Sequence, residues 1–305
     1  MPTTGDDVRV ALLLAAVAIA AWVLTAWVRR YAERSALIDV PNARSSHSVP
    51  TPRGGGLAIV IPFLAAIVLL FVRNSMPLEP FMALVVGGGA VAGVGFWDDH
   101  RHVAAKIRIL VHITAAVWAL AWFGSVPTGV MAGGPWDLGW IGFSGFVVML
   151  VWVLNLYNFM DGIDGIAAAE GFTVAGAAAV ILLSLGVFDA PLWLGILAAG
   201  CVGFLGWNWP PAKVFMGDVG SGFLGFVLGV LAAFTVLQEL MPVWSWLILL
   251  AVFLVDATFT LLRRMTAGAR WYEAHRTHAD QYAALRWRSH QRVTLAVIAI
   301  NLFWL

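Results

Sequence analysis

Two adjacent carboxylates, Asp98 and Asp99, close an apolar segment in the run GFWDDH. Neighbouring carboxylates repel each other, so their placement at the end of such a segment favours a divalent cation, a proton or a cationic partner. Lys106 and Arg108 follow shortly afterwards and are suited to bind phosphate. A solvated helix end would explain the pair equally well, so this motif does not indicate a function by itself.

A second cluster contains four polar residues at intervals of three in NLYNFMDGIDGIA, namely Asn155, Asn158, Asp161 and Asp164. On a helix or in a tight turn, this spacing places amide and carboxylate groups on one side. Gly162 and Gly165 carry no side chains, so a phosphate or a nucleotide could approach the backbone closely. A glycine-rich polar turn without a ligand is the structural alternative.

A third cluster surrounds Asp218 in GWNWPPAKVFMGDVGSGFLG, directly before an apolar run. Asp at this place is commonly a helix N-cap. The run Gly-Asp-x-Gly-Ser also suits a hard metal at a phosphate-binding turn, because oxygen ligands and backbone N–H groups converge there. Lys213 adds a cation and Phe215 an aromatic face for a base, provided that this loop meets the other two clusters.

The run EAHRTHADQ carries two histidines, His275 and His278. A zinc site would need a third ligand of recognisable spacing, so phosphate contact or proton transfer fits better. The flanking basic residues make the segment attractive to anions, although a solvated basic loop is the alternative: Arg263, Arg264, Arg270 and Arg276. We expect Asp256 to pair with Arg263 or Arg264, and His112 to be a packing residue.

The composition describes a membrane protein. Of 305 residues, 61% are hydrophobic and only 11% are charged, whereas soluble domains carry about 25% charged residues. Mean hydropathy is +0.87. The single Cys201 excludes a disulfide scaffold, and the net charge of +1 gives no sign of nucleic-acid binding.

Ten apolar runs predict an all-α polytopic bundle in a single domain, 1–305, because a barrel would show short alternating segments instead. They are Val10–Val28, Gly54–Val72, Phe81–Trp97, Ile107–Phe123, Ile141–Tyr157, Ile166–Phe188, Pro191–Trp207, Gly220–Leu237, Met241–Leu262 and Val293–Leu305. The last run is shorter than a span, so we expect a short or truncated final helix. The first run lacks a small-residue cleavage site and is interpreted as a true span.

The distribution of Lys and Arg predicts the orientation. With the N-terminus outside, sixteen of the eighteen basic residues fall in five inner loops, and only Arg9 and Arg73 fall outside. Basic residues in short loops remain preferentially on the cytoplasmic side. The three acidic clusters and the histidines then share that side, where five cytoplasmic loops would form an active site.

Taken in order, these motifs resemble the polyprenyl-phosphate N-acetylhexosamine-1-phosphate transferase family over nearly the whole chain. The family includes phospho-MurNAc-pentapeptide translocase and the enzymes that initiate O-antigen and teichoic acid synthesis. The similar stretches are DVPNARSSHSVPTPRGGG, GFWDDH, NLYNFMDGIDG, NWPPAKVFMGDVGS, DATFTLLRR and HRTHADQ. The family's peptidoglycan branch has three contiguous histidines, so His-Arg-Thr-His favours the branch that uses UDP-N-acetyl-sugars.

The resemblance implies that Asp218 coordinates Mg²⁺, with Mn²⁺ as an alternative ion, and that Asp161 orders the metal and the diphosphate. Asp98 and Asp99 would act at the polyprenyl phosphate. The other implied substrate contacts are Asp164, Asn208 and Phe215 for uracil, Lys106 for phosphate, His275 and His278 for the nucleotide-sugar pyrophosphate, and Asn155, Asn158, Arg264 and the turn 54–56 for less specific contacts.

The implied reaction moves N-acetylhexosamine 1-phosphate from a UDP-sugar to undecaprenyl phosphate in the bacterial cytoplasmic membrane and releases UMP. Other expected partners are membrane lipids and a second copy of the chain. Direct attack by the lipid phosphate and a covalent phospho-aspartate intermediate both remain open. A cation-coupled transporter is the alternative function, although its carboxylates should lie near the bilayer midplane in paired repeats. A CDP-alcohol phosphotransferase would show a denser run of aspartates.

Overall fold

The computed structural model describes residues 4–41, 46–47, 49–124, 139–268 and 277–304. The first half of the bundle contains α1 (Thr4–Arg34), α2 (Leu57–Val72), α3 (Leu78–Met82), α4 (Gly88–His100), α5 (Ala105–Trp122) and α6 (Gly139–Met160). The second half contains α7 (Ile166–Ser184), α8 (Asp189–Asn208), α9 (Asp218–Leu237), α10 (Val243–Leu249), α11 (Ala251–Thr266), α12 (Ala279–Trp287) and α13 (His290–Phe303). Two short antiparallel strands, β1 (Ile38–Asp39) and β2 (Thr51–Pro52), lie between α1 and α2.

Within the described residues, seven helical stretches are long and apolar enough to cross a membrane. They are α1, the continuous helix formed by α3, a π-helical turn and α4, and then α5 to α9. Helices α10 and α11 meet at 78° and supply an eighth span if counted together. The all-α, multi-pass prediction is confirmed. The count of ten is not, because α2 has 16 residues and α13 has 14, fewer than the roughly 20 that a straight span needs.

Helix α9 lies at the centre of the bundle. Every residue of this helix except Asp218 and Phe234 is buried. It packs mainly against α4 and α6, while α1 lies at the periphery against α8 and α2. Phe223 of α9 meets Phe63 of α2 edge to face, with ring centroids 5.5 Å apart. An apolar helix can face either lipid or protein, and the glycines of α9 favour protein, because Gly220 and Gly225 let neighbouring backbones approach closely.

Glycine allows the neighbouring helices to approach the start of α9. A Cβ atom on Gly95 of α4 would lie 2.5 Å from the carbonyl oxygen of Asp218, and one on Gly56 would meet the backbone of Gly220. Small residues at helix contacts permit close backbone approach within membranes. The ends of α4 and α2 are therefore held directly against the first turn of α9.

The segment that precedes α9 runs beside the turn that precedes α2. Phe215 N–H donates to the carbonyl of Pro52 at 2.8 Å, and the N–H groups of Gly55 and Gly56 donate to the carbonyls of Phe215 and Met216 at 2.9 and 2.8 Å. These bonds satisfy backbone groups that would otherwise be orphaned next to the bundle. They also bring the first and fourth of the five predicted inner loops together.

The contact between α4 and α9 yields a paired test. Gly95→Ala should lower the free energy of unfolding by about 1–3 kcal/mol, and with it the melting temperature, because the new methyl group overlaps the backbone at the start of α9. Gly93→Ala, two residues earlier in the same helix, adds a methyl group with no neighbour within 4 Å and gains helix propensity, so its melting temperature should stay level or rise. Equal melting temperatures for both purified variants would contradict the close approach.

Candidate active site

The carboxylate of Asp99 caps the N-terminus of α9 from the neighbouring helix α4. Its side chain is fully buried. Oδ1 accepts a hydrogen bond from the N–H of Asp218 at 3.0 Å, and Oδ2 accepts one from the N–H of Val219 at 3.2 Å. The local N-cap residue is Gly217, which has φ +75° and no side chain; a Cβ there would lie 2.6 Å from Asp99 Oδ2. The glycine therefore leaves room for a cap supplied by another helix.

Arg53, from the turn between β2 and α2, completes the capping interaction. Its Nη2 donates to Asp99 Oδ1 at 2.6 Å and its Nε donates to the same oxygen at 3.2 Å. Interaction with Asp99 outweighs the effect of burial, and the pKa of Arg53 is raised above its usual value. The first, second and fourth inner loops thus meet at one ion pair.

A second cationic junction lies beside the first. Nη1 of Arg108 donates to Asp98 Oδ2 at 2.6 Å and to Asp218 Oδ2 at 2.9 Å, while the N–H of Val103 donates to Asp98 Oδ1 at 2.6 Å. The two neighbouring aspartates consequently have different surroundings. Asp99 caps the N-terminus of α9, whereas Asp98 shares the guanidinium of Arg108 with Asp218.

A cavity of about 410 Å³ opens beside these junctions. Four of the five predicted inner loops contribute to its wall, including residues Arg53, Asp161, Asp164, Asn208, Phe215 and Asp218. The remaining loop, between α4 and α5, reaches the cavity through the contacts of Asp98 and Asp99. The structure therefore brings the three acidic clusters of the sequence into one place.

Asp161 and Asp164 occupy the turn between α6 and α7, but their surroundings shift the two pKa values in opposite directions. Burial, together with the nearby carboxylates of Asp218, Asp99 and Asp164, raises the pKa of Asp161 to about 7. Burial alone would also raise the pKa of Asp164, but hydrogen bonds from His290 and from the N–H of Ala212 outweigh it and lower that pKa. Asp164 is thus held as an ionised acceptor.

Asn208 and Phe215 form the other end of the cavity. Asn208 is buried, and its Nδ2 donates to the carbonyl of Val214 at 2.9 Å. Its Oδ1 accepts no hydrogen bond from the described residues. The ring of His47 meets the Phe215 ring edge to face, with centroids 4.8 Å apart. An aromatic ring beside an unpaired buried acceptor suits a flat heterocycle that carries N–H groups.

The carboxylates suit a hard cation. Asp161 and Asp218 line the same cavity, and the raised pKa of Asp161 shows that its negative charge is undercompensated. Within the described residues, no three Asp, Glu, His or Cys side chains form a closed metal-binding group. Mg²⁺ typically takes one or two carboxylates and fills its other positions with water and substrate phosphates, so this ligand set fits it.

Other predicted site residues lie outside the cavity wall. The side-chain amide of Asn155 donates to the carbonyl of Val151 at 2.7 Å, one turn back in α6. Lys106 is exposed at the start of α5, and Arg264 lies in the last turn of α11. His275 falls outside the described residues. Contacts of these residues with substrate remain predictions.

His278 is also displaced from the cavity, by an interaction that the sequence did not reveal. It is buried, and its Nδ1 lies 3.4 Å from Asp256 Oδ1. The Asp256 carboxylate also accepts hydrogen bonds from the N–H groups of Ala279 and Asp280, at 3.0 and 3.1 Å. Asp256 is thus a cap for α12 supplied by α11, in addition to any pairing with its basic neighbours.

The sequence analysis assigned no role to several residues of the cavity wall, namely Asp39, Ser46, His47, Gln281 and His290. Asp39, Ser46, His47 and Arg53 lie within the run DVPNARSSHSVPTPRGGG, and Gln281 lies within HRTHADQ, but neither motif gave them an individual role. His290 lies outside every quoted motif. Their position becomes visible only when distant loops are brought together.

Comparison with known proteins extends these observations. Residues 81–236 match the family described as glycosyl transferase family 4. The chain is 29% identical over 293 residues to a probable undecaprenyl-phosphate N-acetylglucosaminyl 1-phosphate transferase of Bacillus subtilis, covering 92% of the chain and 78% of the relative. It is 31% identical over 325 residues to a decaprenyl-phosphate N-acetylglucosaminephosphotransferase of Mycolicibacterium smegmatis, covering 95% and 79%.

A relative from the peptidoglycan branch matches a smaller part of the chain. The phospho-N-acetylmuramoyl-pentapeptide-transferase of Moorella thermoacetica is 34% identical over 207 residues, which covers 63% of the chain and 64% of that protein. The similarity to the two N-acetylglucosamine enzymes extends over most of the chain, including more of its ends.

The Arg53–Asp99 pair can be tested by a double-mutant cycle. Arg53→Met and Asp99→Asn should each lower stability strongly, because either change leaves a buried charge or two buried N–H groups poorly satisfied. The double variant should lose less than the sum of the two, with a coupling on the order of 3 kcal/mol. Thermal unfolding in detergent provides the measurement, and additive losses would show that the pair is not coupled.

Asp280 predicts a pH-dependent stability. Burial and the neighbouring Asp256 raise its pKa to about 7. The folded protein therefore retains this proton above the pH at which the unfolded chain loses it, so stability falls as pH rises towards 7. Relative to wild type, Asp280→Asn should gain melting temperature between pH 5 and pH 8; a constant difference would contradict the shift.

Proposed function

The chain belongs to glycosyl transferase family 4, and from this premise we propose that it transfers an N-acetylhexosamine 1-phosphate from a UDP-sugar to a polyprenyl phosphate, releasing UMP. The resemblance inferred from the motifs is confirmed. One structural observation carries the proposal: the acidic motifs of separate loops converge on one cavity that also contains Phe215 and Asn208. A single site thus offers surfaces for a base and for a metal-bound diphosphate.

We assign the uracil to the end formed by Asp164, Asn208 and Phe215. The imide N–H of uracil is a hydrogen-bond donor, which suits an ionised carboxylate or the unpaired Asn208 Oδ1. The Phe215 ring offers a stacking surface for any base. The diphosphate would then extend towards Asp161 and Asp218.

Asp218 and Asp161 are the proposed holders of Mg²⁺. When bound there, the ion would neutralise charge on the transferred phosphoryl group and polarise it. The protein's own residues position the reactants and exclude competing geometries. Arg53 and Arg108 lie beside these carboxylates and add positive charge close to where the phosphates would lie.

In direct transfer, an oxygen of the lipid phosphate attacks the phosphorus that carries the sugar. The phosphoanhydride bond to UMP breaks, a new phosphoanhydride forms, and UMP leaves with the bridging oxygen. Between the paired aspartates, we assign the contact with the lipid phosphate to Asp98. Asp99 is 0% exposed and uses both oxygens in capping α9, whereas Asp98 shares Arg108 with Asp218 and can release it to an incoming phosphate.

Two features favour N-acetylglucosamine as the transferred sugar. The relatives matched over more than nine-tenths of the chain are named for this sugar, whereas the muramoyl-pentapeptide relatives from Moorella thermoacetica and Bacillus licheniformis are matched over 63% and 78%. The run His-Arg-Thr-His also departs from the contiguous triple histidine of the peptidoglycan branch. We therefore propose UDP-N-acetylglucosamine as the first donor to test.

The site is proposed to face the cytoplasm of a bacterium across its inner membrane. Sixteen of eighteen Lys and Arg residues belong to the loops predicted on the side of the site, as expected for the cytoplasmic face. UDP-sugars are made in the cytoplasm, so this orientation also gives the donor access. The transporter alternative receives no support, because the site carboxylates lie at helix ends and in turns and not at the bilayer midplane.

The reaction is tested by incubating the purified protein with Mg²⁺, undecaprenyl phosphate and UDP-N-acetylglucosamine and measuring UMP. We expect release that requires both lipid and metal. Asp218→Asn should reduce the rate on the order of 100-fold or more, because it removes a charged ligand beside the transferred group. Asp189→Asn, an exposed carboxylate at the far end of α8, is the matched control and should retain full activity.

Two outcomes would reject the proposal. UMP release at the same rate without lipid would identify a hydrolase, and no release with any of several UDP-N-acetylhexosamines would remove the activity itself. Full activity of Asp218→Asn would place the metal elsewhere while leaving the reaction intact.

A further inference from the structure

His290, the first residue of α13, lines the cavity beside the acidic turn between α6 and α7. Its Nδ1 lies 3.2 Å from Asp164 Oδ1. The other oxygen of Asp164 accepts a hydrogen bond from the N–H of Ala212 at 3.0 Å. The backbone nitrogen of Asp164 also lies 3.3 Å from the same Nδ1. A proton on Nδ1 directs it to the carboxylate, and both oxygens are then held by protein donors, one from the loop before α9 and one from the last helix.

Helix α13 presents a polar edge that fits this arrangement. The hydroxyl of Thr294 donates to the backbone carbonyl of Asp164 at 3.0 Å. Two turns further on, the amide of Asn301 donates to Glu170 Oε2 at 2.6 Å. These contacts dock α13 against the α6–α7 turn and against α7, so the position of the His290 ring is fixed by the whole helix.

The imidazole also hydrogen-bonds to the backbone of Ser46, which connects it to the first loop. With Nδ1 directed at Asp164, this contact falls to the other ring nitrogen, Nε2. Ser289 stabilises the start of α13, since its Oγ accepts from the N–H of Arg292 at 3.2 Å. The imidazole therefore stands between the cavity and a smaller polar pocket of about 370 Å³, which is lined by Ser46, Gln281, Arg288 and Ser289.

We propose that His290 is a positioning residue for the donor nucleotide: it orients the Asp164 carboxylate so that its remaining lone pairs point to the base. This inference rests on the proposed function, in which Asp164 accepts a hydrogen bond from uracil. Each carboxylate oxygen can accept more than one hydrogen bond, so the contacts to His290 and Ala212 leave acceptor capacity for a ligand. Fixing both oxygens in advance lowers the ordering cost of binding.

Two amide substitutions distinguish the contacts of the imidazole. The Nδ2 of Asn occupies nearly the place of the histidine Nδ1, so His290→Asn retains a donor to Asp164. The Nε2 of Gln reaches the place of the distal ring nitrogen, so His290→Gln retains only the contact to Ser46. His290→Leu removes both, and Gln291→Leu removes an exposed polar side chain from the same helical turn as a control.

The first measurement is the Kd for UDP, obtained by calorimetry on the detergent-solubilised full chain with Mg²⁺. We expect His290→Leu and His290→Gln to weaken UDP binding about tenfold, and His290→Asn and Gln291→Leu to remain within threefold of wild type. The second measurement is steady-state transfer, in which His290→Leu should raise the KM for the UDP-sugar similarly while kcat and the KM for the lipid phosphate change little. A purely structural defect would lower kcat and both affinities together.

Wild-type affinity in His290→Leu would overturn the inference, as would recovery of binding by Gln but not by Asn, which would place the role at Ser46. If His290→Leu does not fold, the Asn and Gln variants still decide, because both are neutral amides. A wild-type protein that binds UDP but releases no UMP would reject the proposed reaction and leave the role of His290 to the binding data. Absence of UDP binding in the wild-type protein would overturn both the proposed reaction and the proposed role of His290.

Discussion

The structure depends on a helix end that is capped from outside. Helix α9 begins at the centre of the bundle, and the positive end of its dipole and its free N–H groups must be satisfied there without bulk water. The Asp99 carboxylate of α4 accepts from two of those groups, and Arg53 neutralises it. Gly217 leaves room for the Asp99 carboxylate, and Gly95 lets α4 approach the start of α9. This one interaction therefore fixes where three loops meet.

Electrostatic balance in the site follows from that anchor. Two guanidinium groups, Arg53 and Arg108, hold three of the carboxylates in ion pairs, and Asp161 remains undercompensated. Buried ion pairs of this kind contribute little net stability, since desolvation offsets much of the attraction. Their value lies in keeping the charges in defined positions, so that anionic substrates and a cation enter a site with its dipoles already arranged.

The sequence predicted much of this arrangement because membrane helices constrain polar residues strongly. Carboxylates at the ends of apolar runs are costly unless they are used, which made Asp161, Asp164 and Asp218 recognisable. The separate duties of Asp98 and Asp99 could also have been expected, because adjacent residues on a helix point in different directions. The count of ten spans stays unconfirmed: the final run was already expected to form a short helix, and α2 has 16 residues, fewer than its apolar run suggested.

Other features depend on contacts that no local pattern encodes. His290 meets Asp164 across 126 residues of chain, and Asp256 caps a helix that begins 23 residues later. In the sequence alone, a histidine at the start of an apolar run is equally typical of a residue at the membrane–water interface. Only the docking of α13 against the α6–α7 turn assigns it to the cavity wall.

The burial of α9 has a mechanical consequence. Its side chains meet other helices on nearly every side, whereas only 17% of the most apolar stretch of α1 is buried within the protein, which leaves most of that helix to face lipid. Changes in bilayer thickness act on helices through their lipid-facing surface, by tilting them or displacing their ends. A change in bilayer thickness would reach Asp218 only through the outer helices. The position of the site is therefore insulated from deformation of the surrounding membrane.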